Sequence, residues 1–256
     1  MVPYLAERAL TVIRCPDGIG SECFFQKHVT PSVPRSVSKV RVRGAEKEKD
    51  VVYPVVDTAA GLLAMVQNGA VEFHVWGSRV NAIEVPDILV FDLDPGPDVD
   101  WRRVREAART LREELEGRGL ESYLRTSGGK GVHVVVPFTS RARWPRVGAF
   151  AREVVEALVA REPDKYTATM SKAKRGGKVF IDHFRNGRGA TSVTSYSLRG
   201  RPGAPVALPI GWDELRRTRG GADWTAERVL HRLETRAADP WAGFFATGRR
   251  QALDER

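Results

Sequence analysis

Cysteine is nearly absent from this 256-residue sequence: only Cys15 and Cys23 occur. Two such residues cannot build a disulfide framework, so the chain reads as a protein of a reducing cytoplasm. Together with His28 they match no common zinc-ligand spacing, and both read as small core residues. No apolar run approaches the roughly 20 residues needed to span a bilayer. No secretory signal opens the chain, and internal repeats and low-complexity linkers are missing. What is present is 42% hydrophobic residues, enough to fill the core of one large domain or two small ones. Lys and Arg outnumber Asp and Glu by 41 to 32, a net charge of +9. That balance favours an anionic partner, nucleic acid ahead of a membrane surface.

The chain is organised around Ile88-Leu89-Val90-Phe91, which runs unbroken into Asp92-Leu93-Asp94-Pro95-Gly96. Such a run predicts a strand buried on both faces. Alternation along the strand sends Asp92 and Asp94 to the same side. Two carboxylates at the mouth of a buried strand are costly unless something cationic meets them. Either they close a salt-bridged turn, or they hold a divalent metal through the hard oxygen ligands that Mg²⁺ and Mn²⁺ prefer.

Other elements follow from periodicity and punctuation. Strands are expected over 10–13, 23–28, 37–42, 51–56, 122–125, 132–137, 179–182 and 195–199. Helices are expected over 57–69, 101–118, 145–161 and 225–236, with Asp98 or Asp100 capping the second. Residues 71–76 alternate as a half-buried strand on which His74 shares a face with Glu72 and Trp76; a lone histidine there reads as structural. The mixed-charge run from Arg43 to Asp50 reads as a solvated hairpin tip, and residues 202–211, rich in Pro and Gly, as a surface connection. The tail from Trp241 to Phe245 is expected to pack back on the body. In the 23–28 strand, Phe24 and Phe25 are either both core, or one faces outward beside Lys27 as a stacking platform for a base.

Three features fall at strand ends: the Asp92/Asp94 pair, the loop Thr126-Ser127-Gly128-Gly129-Lys130-Gly131, and Asp182. Open sheets bind ligands at strand ends. A small glycine-bearing loop lets backbone N–H groups approach phosphate while Ser127 and Lys130 add a hydroxyl and a charge. His133 lies within reach of the same phosphates. The loop lacks the Walker spacing, so a P-loop is not supported. Three carboxylates beside a phosphate-binding loop suit two-metal phosphoryl transfer, with ions ~4 Å apart on the attacking and leaving oxygens. A basic loop, Ser171 to Lys178, adds cations that would offset phosphate charge.

Four motifs in order carry a resemblance: Phe91-Asp92-Leu93-Asp94-Pro95-Gly96; Thr126 to His133; Lys178-Val179-Phe180-Ile181-Asp182; and Tyr196-Ser197-Leu198-Arg199-Gly200-Arg201. Together they resemble the polymerase domain of bacterial ligase D, of the archaeo-eukaryotic primase superfamily, from about Arg14 to Phe245. The resemblance implies an α+β primase-polymerase fold: mixed and antiparallel central sheets with an RRM-like catalytic core, flanked by helices. It implies that Asp92, Asp94 and Asp182 bind two ions, Mn²⁺ or Mg²⁺. It implies nucleotide binding by His74, Ser127, Lys130, His133, Lys178 and Arg199. Phe24 and Phe25 match an aromatic pair that stacks on a template base or incoming nucleotide. With Lys27, Arg43, Lys172, Lys174 and Arg175 they are the candidate DNA contacts. Gly44 to Asp50 matches a loop associated with bringing two DNA ends together. The implied activity is addition of nucleotides, often ribonucleotides, to the 3′ ends of gapped or overhanging DNA bearing a 5′-phosphate. The implied setting is non-homologous end joining, with Ku and a DNA ligase as partners, in a nucleoid-associated cytoplasmic location with no membrane.

Relative to that family the sequence reads as a single domain over 1–256 that lacks part of the family N-terminus, including a lysine of the 5′-phosphate site. By the same reading, no ligase or nuclease domain is expected within it. Two rival readings share the Asp-x-Asp signal: a nucleotide-sugar glycosyltransferase and a non-catalytic DNA-binding module of primase fold. The first leaves the basic loop at 171–178 unexplained, and the intact three aspartates argue against the second.

Overall fold

A computed structural model describes residues 1–44, 49–139, 141–235 and 238–253. In chain order the strands are β1 (Leu10–Arg14), β2 (Phe24–Gln26), β3 (Ser38–Val42), β4 (Val51–Val55), β5 (Ala70–Trp76), β6 (Ile88–Pro95), β7 (Tyr123–Thr126), β8 (Val132–Pro137), β9 (Tyr166–Thr167), β10 (Val179–Asp182), β11 (Thr191–Val193), β12 (Ser197–Leu198), β13 (Val206–Ala207) and β14 (Pro209–Ile210). The helices are α1 (Val2–Leu5), α2 (Ala59–Gln67), α3 (Trp101–Gly117), α4 (Trp144–Arg161), α5 (Ala226–Thr235) and α6 (Phe244–Arg250). A six-stranded sheet runs β14-β7-β8-β6-β10-β9, antiparallel except between β10 and β9. A second, antiparallel sheet runs β11-β5-β1-β2. The pairs β3–β4 and β12–β13 stand apart. This is the expected α+β arrangement.

β6 is the spine. Its residues Leu89, Phe91 and Leu93 are fully buried, and burying each such side chain contributes roughly 1.5–3 kcal/mol. They pack on α3 and α4. The inward stripe of α3 is Val104, Ala107, Ala108, Leu111 and Leu115, and Asp100 caps the helix by accepting from the Arg103 N–H at 3.0 Å. The alternate residues of β6, Val90, Asp92 and Asp94, turn to the opposite face. One end of that face is apolar, where Val90, Val135 and Tyr123 meet Trp241 and Phe244, so the C-terminal segment does pack back. The other end is polar and holds the site.

Two devices bring the site segments together. At the end of β6, the Gly96 N–H donates to the Lys178 carbonyl at 2.9 Å, and a Cβ on Gly96 would lie 1.9 Å from the Arg175 carbonyl oxygen. Only glycine lets the basic loop close on the strand here. Beyond Asp182 the β10 ladder stops, and the Asn186 carboxamide continues it. Its Oδ1 accepts from the Val90 N–H at 2.8 Å, and its Nδ2 donates to the Val90 carbonyl at 2.8 Å and the His183 carbonyl at 2.9 Å.

Three expectations are corrected. Cys15 and Cys23 are not separate core residues but a disulfide closing a separation of 8; the pairing removes them as an argument for a reducing compartment. β5 is not half-buried. It lies inside its sheet, with Phe73 and Val75 in a core containing Val12 and Met65, while Glu72 is buried by its own ion pairs. Residues 202–211 are not merely a surface connection, because Val206 to Leu208 and Ile210 are buried and β14 pairs with β7. Its proline sits on an edge strand, where the missing N–H costs no ladder bond. Of the expected hairpin tip, Arg43 to Asp50, residues 45–48 lie outside the described residues. No helix among the described residues is long and apolar enough to cross a membrane.

Asn186→Ala removes three buried hydrogen bonds and leaves Val90 unpaired on one side. Chemical denaturation should show a loss of about 2–3 kcal/mol. Reducing the Cys15–Cys23 bond, or replacing both residues by serine, frees a short loop of the unfolded chain. It should lower stability by about 2–3 kcal/mol in the same assay.

Candidate active site

The register of the six-stranded sheet assembles the site. Asp182 on β10 lies opposite Asp92 on β6, Asp92 lies opposite His133 on β8, and His133 lies opposite Arg125 on β7. Asp94 shares the face of Asp92, two residues along. The sequence-predicted carboxylates are therefore neighbours on one side of one sheet. Carboxylates directly opposite each other destabilise a strand pair unless a cation intervenes. Arg185 supplies one: its guanidinium stands 3.6 Å from Asp92 Oδ2 and 3.3 Å from Asp182 Oδ2.

The electrostatics reflect this crowding. Burial, then the charges of Asp92 and Asp182, pushes the Asp94 carboxyl up to about 6 despite Arg185. Burial likewise raises Asp182, against the pull of Arg185 and a hydrogen bond from the Phe184 N–H at 2.7 Å. For Asp92 the raising effect of burial is outweighed by His133, Arg185 and Arg199, which hold it below the usual carboxylate range. Burial pushes His133 down to about 4, against the pull of the Asp92 charge.

Among the described residues, no group of three or more ligating side chains is gathered around a common point; Arg185 bridges two of the carboxylates instead. The residues nevertheless fit a hard divalent ion. Asp92 Oδ1 is buried with no hydrogen-bond partner, and Asp94 is raised by burial and then by neighbouring negative charge, the second of which a cation would neutralise. An all-oxygen donor set of this kind suits Mg²⁺ or Mn²⁺.

A cleft of about 710 Å³ opens over the carboxylates. His74, Asp92, Asp94, Ser127, Lys130, His133, Lys172, Arg175 and Arg199 line it, as do Arg185 and Arg201, to which sequence reading assigned no role. Asp182, in contact with Arg185, is not among the residues that line the cleft. Lys178, Lys27, Arg43 and Lys174 do not line the cleft either. Phe24 and Phe25 are both exposed, at 44% and 58%, not one in and one out. Phe24 lies under the Arg14 guanidinium at 5.3 Å, and Phe25 meets His74 edge-on, at 6.5 Å between centroids. The aromatic pair thus adjoins the cleft through His74.

The 127–131 loop differs from the expected phosphate cradle. Its Gly129 and Gly131 N–H groups donate inward to Ser127 Oγ, at 3.1 and 3.3 Å, leaving the hydroxyl proton of Ser127 to donate elsewhere. Gly131 is there for close packing: a Cβ would lie 1.8 Å from the Leu93 carbonyl oxygen. Positive charge comes from Lys130 and the arginines instead.

Sequence reading missed the buried hub that ties the second sheet to this loop. Glu72 Oε2 accepts from Arg199 Nε at 2.9 Å and pairs with His74 Nε2 at 2.9 Å, while Oε1 accepts from the Gly200 N–H at 2.8 Å. Arg199 Nη1 in turn donates to the Ser127 carbonyl at 2.6 Å. Burial raises Glu72, but the bonds from His74, Arg199 and Gly200 leave it below its ordinary value.

The LigD primase-polymerase domain family matches residues 1–241. The chain is 36% identical over 253 residues to the multifunctional non-homologous end joining protein LigD of Pseudomonas aeruginosa, covering 96% of this chain and 29% of that protein. It is 29% identical over 246 residues to the bifunctional non-homologous end joining protein LigD of Bacillus subtilis, covering 96% of this chain and 39% of the other. The chain thus spans well under half the length of these relatives. Among solved structures, the polymerase domain of Mycobacterium tuberculosis ligase D in complex with DNA superposes with a TM-score of 0.87 at 33% identity, over 96% of this chain and 87% of that one. With the motif aspartates side by side in register and the match running through nearly the whole sequence, the chain belongs to the LigD primase-polymerase domain family, a family of nucleotidyltransferases.

Proposed function

We propose that the chain, acting as one catalytic unit, adds nucleotides from NTP or dNTP to the 3′ ends of DNA by metal-dependent phosphoryl transfer. Its substrates are gapped or overhanging ends bearing a 5′-phosphate, joined in the nucleoid-associated cytoplasm with Ku and a DNA ligase. The single observation that carries this reading is the register that sets Asp182 opposite Asp92, with Asp94 on the same face, under a cleft banked by cations. Asp92, Asp94 and Asp182 would hold two ions, Mn²⁺ or Mg²⁺. Divalent ions bound there supply Lewis-acid stabilisation of the attacking and leaving oxygens.

The chain's own residues do the rest. Lys130, Lys172, Arg175 and Arg199 face the carboxylates across the cleft and neutralise the triphosphate. The Ser127 hydroxyl donates to a phosphate oxygen. His74 and Phe25 stand at the edge, where a base stacks on the exposed ring. Outside the cleft, Lys27, Arg43 and Lys174 track the DNA backbone as part of the +9 charge, the exposed Phe24 ring offers a second stacking face, and Lys178 adds charge toward the nucleotide. Family membership sets the nucleotide-sugar reading aside.

Asp92→Ala or Asp182→Ala should abolish primer extension on a gapped duplex while DNA binding, followed by fluorescence anisotropy, stays within about twofold. Retained extension would remove these residues from the metal set. Lys130→Ala deletes a charge-assisted bond to phosphate. Its KM for NTP should rise about tenfold or more, with DNA affinity little changed; an unaltered KM would exclude the phosphate role.

A further inference from the structure

Arg125 ends the cross-strand row beneath the cleft, opposite His133 and only 4% exposed. A buried guanidinium is normally met by a carboxylate, yet here its bonds all go to neutral groups. Nε donates to His133 Nδ1 at 3.1 Å, Nη2 to Ser192 Oγ at 3.2 Å, and Nη1 to Ser195 Oγ at 3.4 Å. Guanidinium nitrogens are donors only. The Arg125 Nε–H therefore obliges the facing Nδ1 to present its lone pair, and the neutral imidazole must carry its proton on Nε2. Nε2 faces Asp92 Oδ1 at 3.4 Å, the buried oxygen that lacks a hydrogen-bond partner. The opposite tautomer would set two lone pairs against each other there, and a second N–H against the Arg125 donor.

We infer that Arg125 is a positioning residue, which locks His133 as the Nε2–H tautomer so that the ring presents a fixed donor to Asp92 and orients that carboxylate for a divalent cation. The two serines hold the guanidinium in place, so the ring cannot turn without losing both the Arg125 bond and the Asp92 contact. A role confined to filling the sheet interior would not select one tautomer. The inference rests on the reading of Asp92 as a metal ligand, and two separate measurements distinguish a failure of one from a failure of the other.

The first is long-range ¹H–¹⁵N spectroscopy of the metal-free protein with ¹⁵N-labelled histidine, the His133 peaks being assigned by their loss in His133→Gln. Wild type should show an unprotonated Nδ1 and a protonated Nε2. Arg125→Met, which removes the donor and the charge at similar volume, should show a mixture of tautomers. The second is Mn²⁺ binding followed by electron paramagnetic resonance, where Arg125→Met should weaken affinity roughly 10- to 100-fold, the usual effect of losing an outer partner of a metal ligand. A protonated Nδ1 in wild type overturns the inference, and does so even if the variant fails to fold. So does an unchanged tautomer in folded Arg125→Met, or a lost tautomer with unchanged Mn²⁺ affinity. Absence of Mn²⁺ binding to wild type would sink the ligand role of Asp92, whatever the tautomer proves to be.

Discussion

Asp182 and Asp92 face each other across β10 and β6, and the remainder of the site is arranged to make that opposition tolerable. Placed alone in a sheet interior, two carboxylates would repel each other and lose hydration at the same time. Here the charge is distributed along a row of four strands. Arg185 spans the two acids from above, His133 lies beside Asp92, and Arg125 anchors the far end. In this arrangement Asp92 Oδ1 makes no full hydrogen bond, its nearest donor being His133 Nε2 at 3.4 Å, and burial with the neighbouring carboxylates pushes the Asp94 carboxyl up to about 6. Both features are what the proposed divalent ion would satisfy, and they sit beside a salt bridge from Arg185 to Asp92 and Asp182.

Such a row depends on strand register, and the register is defended by close contacts. Gly131 lets β8 approach the Leu93 carbonyl, Gly96 admits the basic loop to the end of β6, and Asn186 continues a ladder that its own strand abandons. A slip of one residue in β8 or β10 would send His133 or Asp182 to the helix-covered face. On the opposing sheet, the Glu72 hub holds His74 and Arg199, and Arg199 reaches the Ser127 carbonyl of the 127–131 loop. The cleft is therefore built between two sheets whose mutual position is held by buried ionic contacts. The surfaces turned to the cleft and its edge are lysine and arginine side chains, Ser127, His74 and the exposed ring of Phe25.

Much of this was legible in the sequence because period-two alternation is a local property. It places Asp92 and Asp94 on one face, and four ordered motifs implied that Asp182 joins them. The helices α3 and α4 declared themselves through apolar stripes. The remainder depends on distant partners. Asn186 bonds Val90, 96 residues away, and Arg199 meets Glu72, 127 residues away; nothing in their neighbours announces either. Glu72 looked like the wet face of an alternating strand because alternation does not reveal a second sheet on the other side. The glycines of the 127–131 loop suggested a phosphate cradle, but a glycine demanded by a 1.8 Å approach and one demanded by a ligand look alike in sequence. The cysteine pair was misread because two residues at a separation of 8 carry no pattern.

The central claim is that cross-strand register converts three separated aspartates into one divalent-cation site. Diffraction from crystals soaked in Mn²⁺ with a non-hydrolysable nucleoside triphosphate, recorded at the manganese edge, tests it most directly. The account predicts anomalous density in contact with carboxylate oxygens of Asp92, Asp94 and Asp182, with the Arg185 guanidinium displaced from between them. Ordered Mn²⁺ on the triphosphate alone, with Arg185 still bridging Asp92 and Asp182, would contradict it.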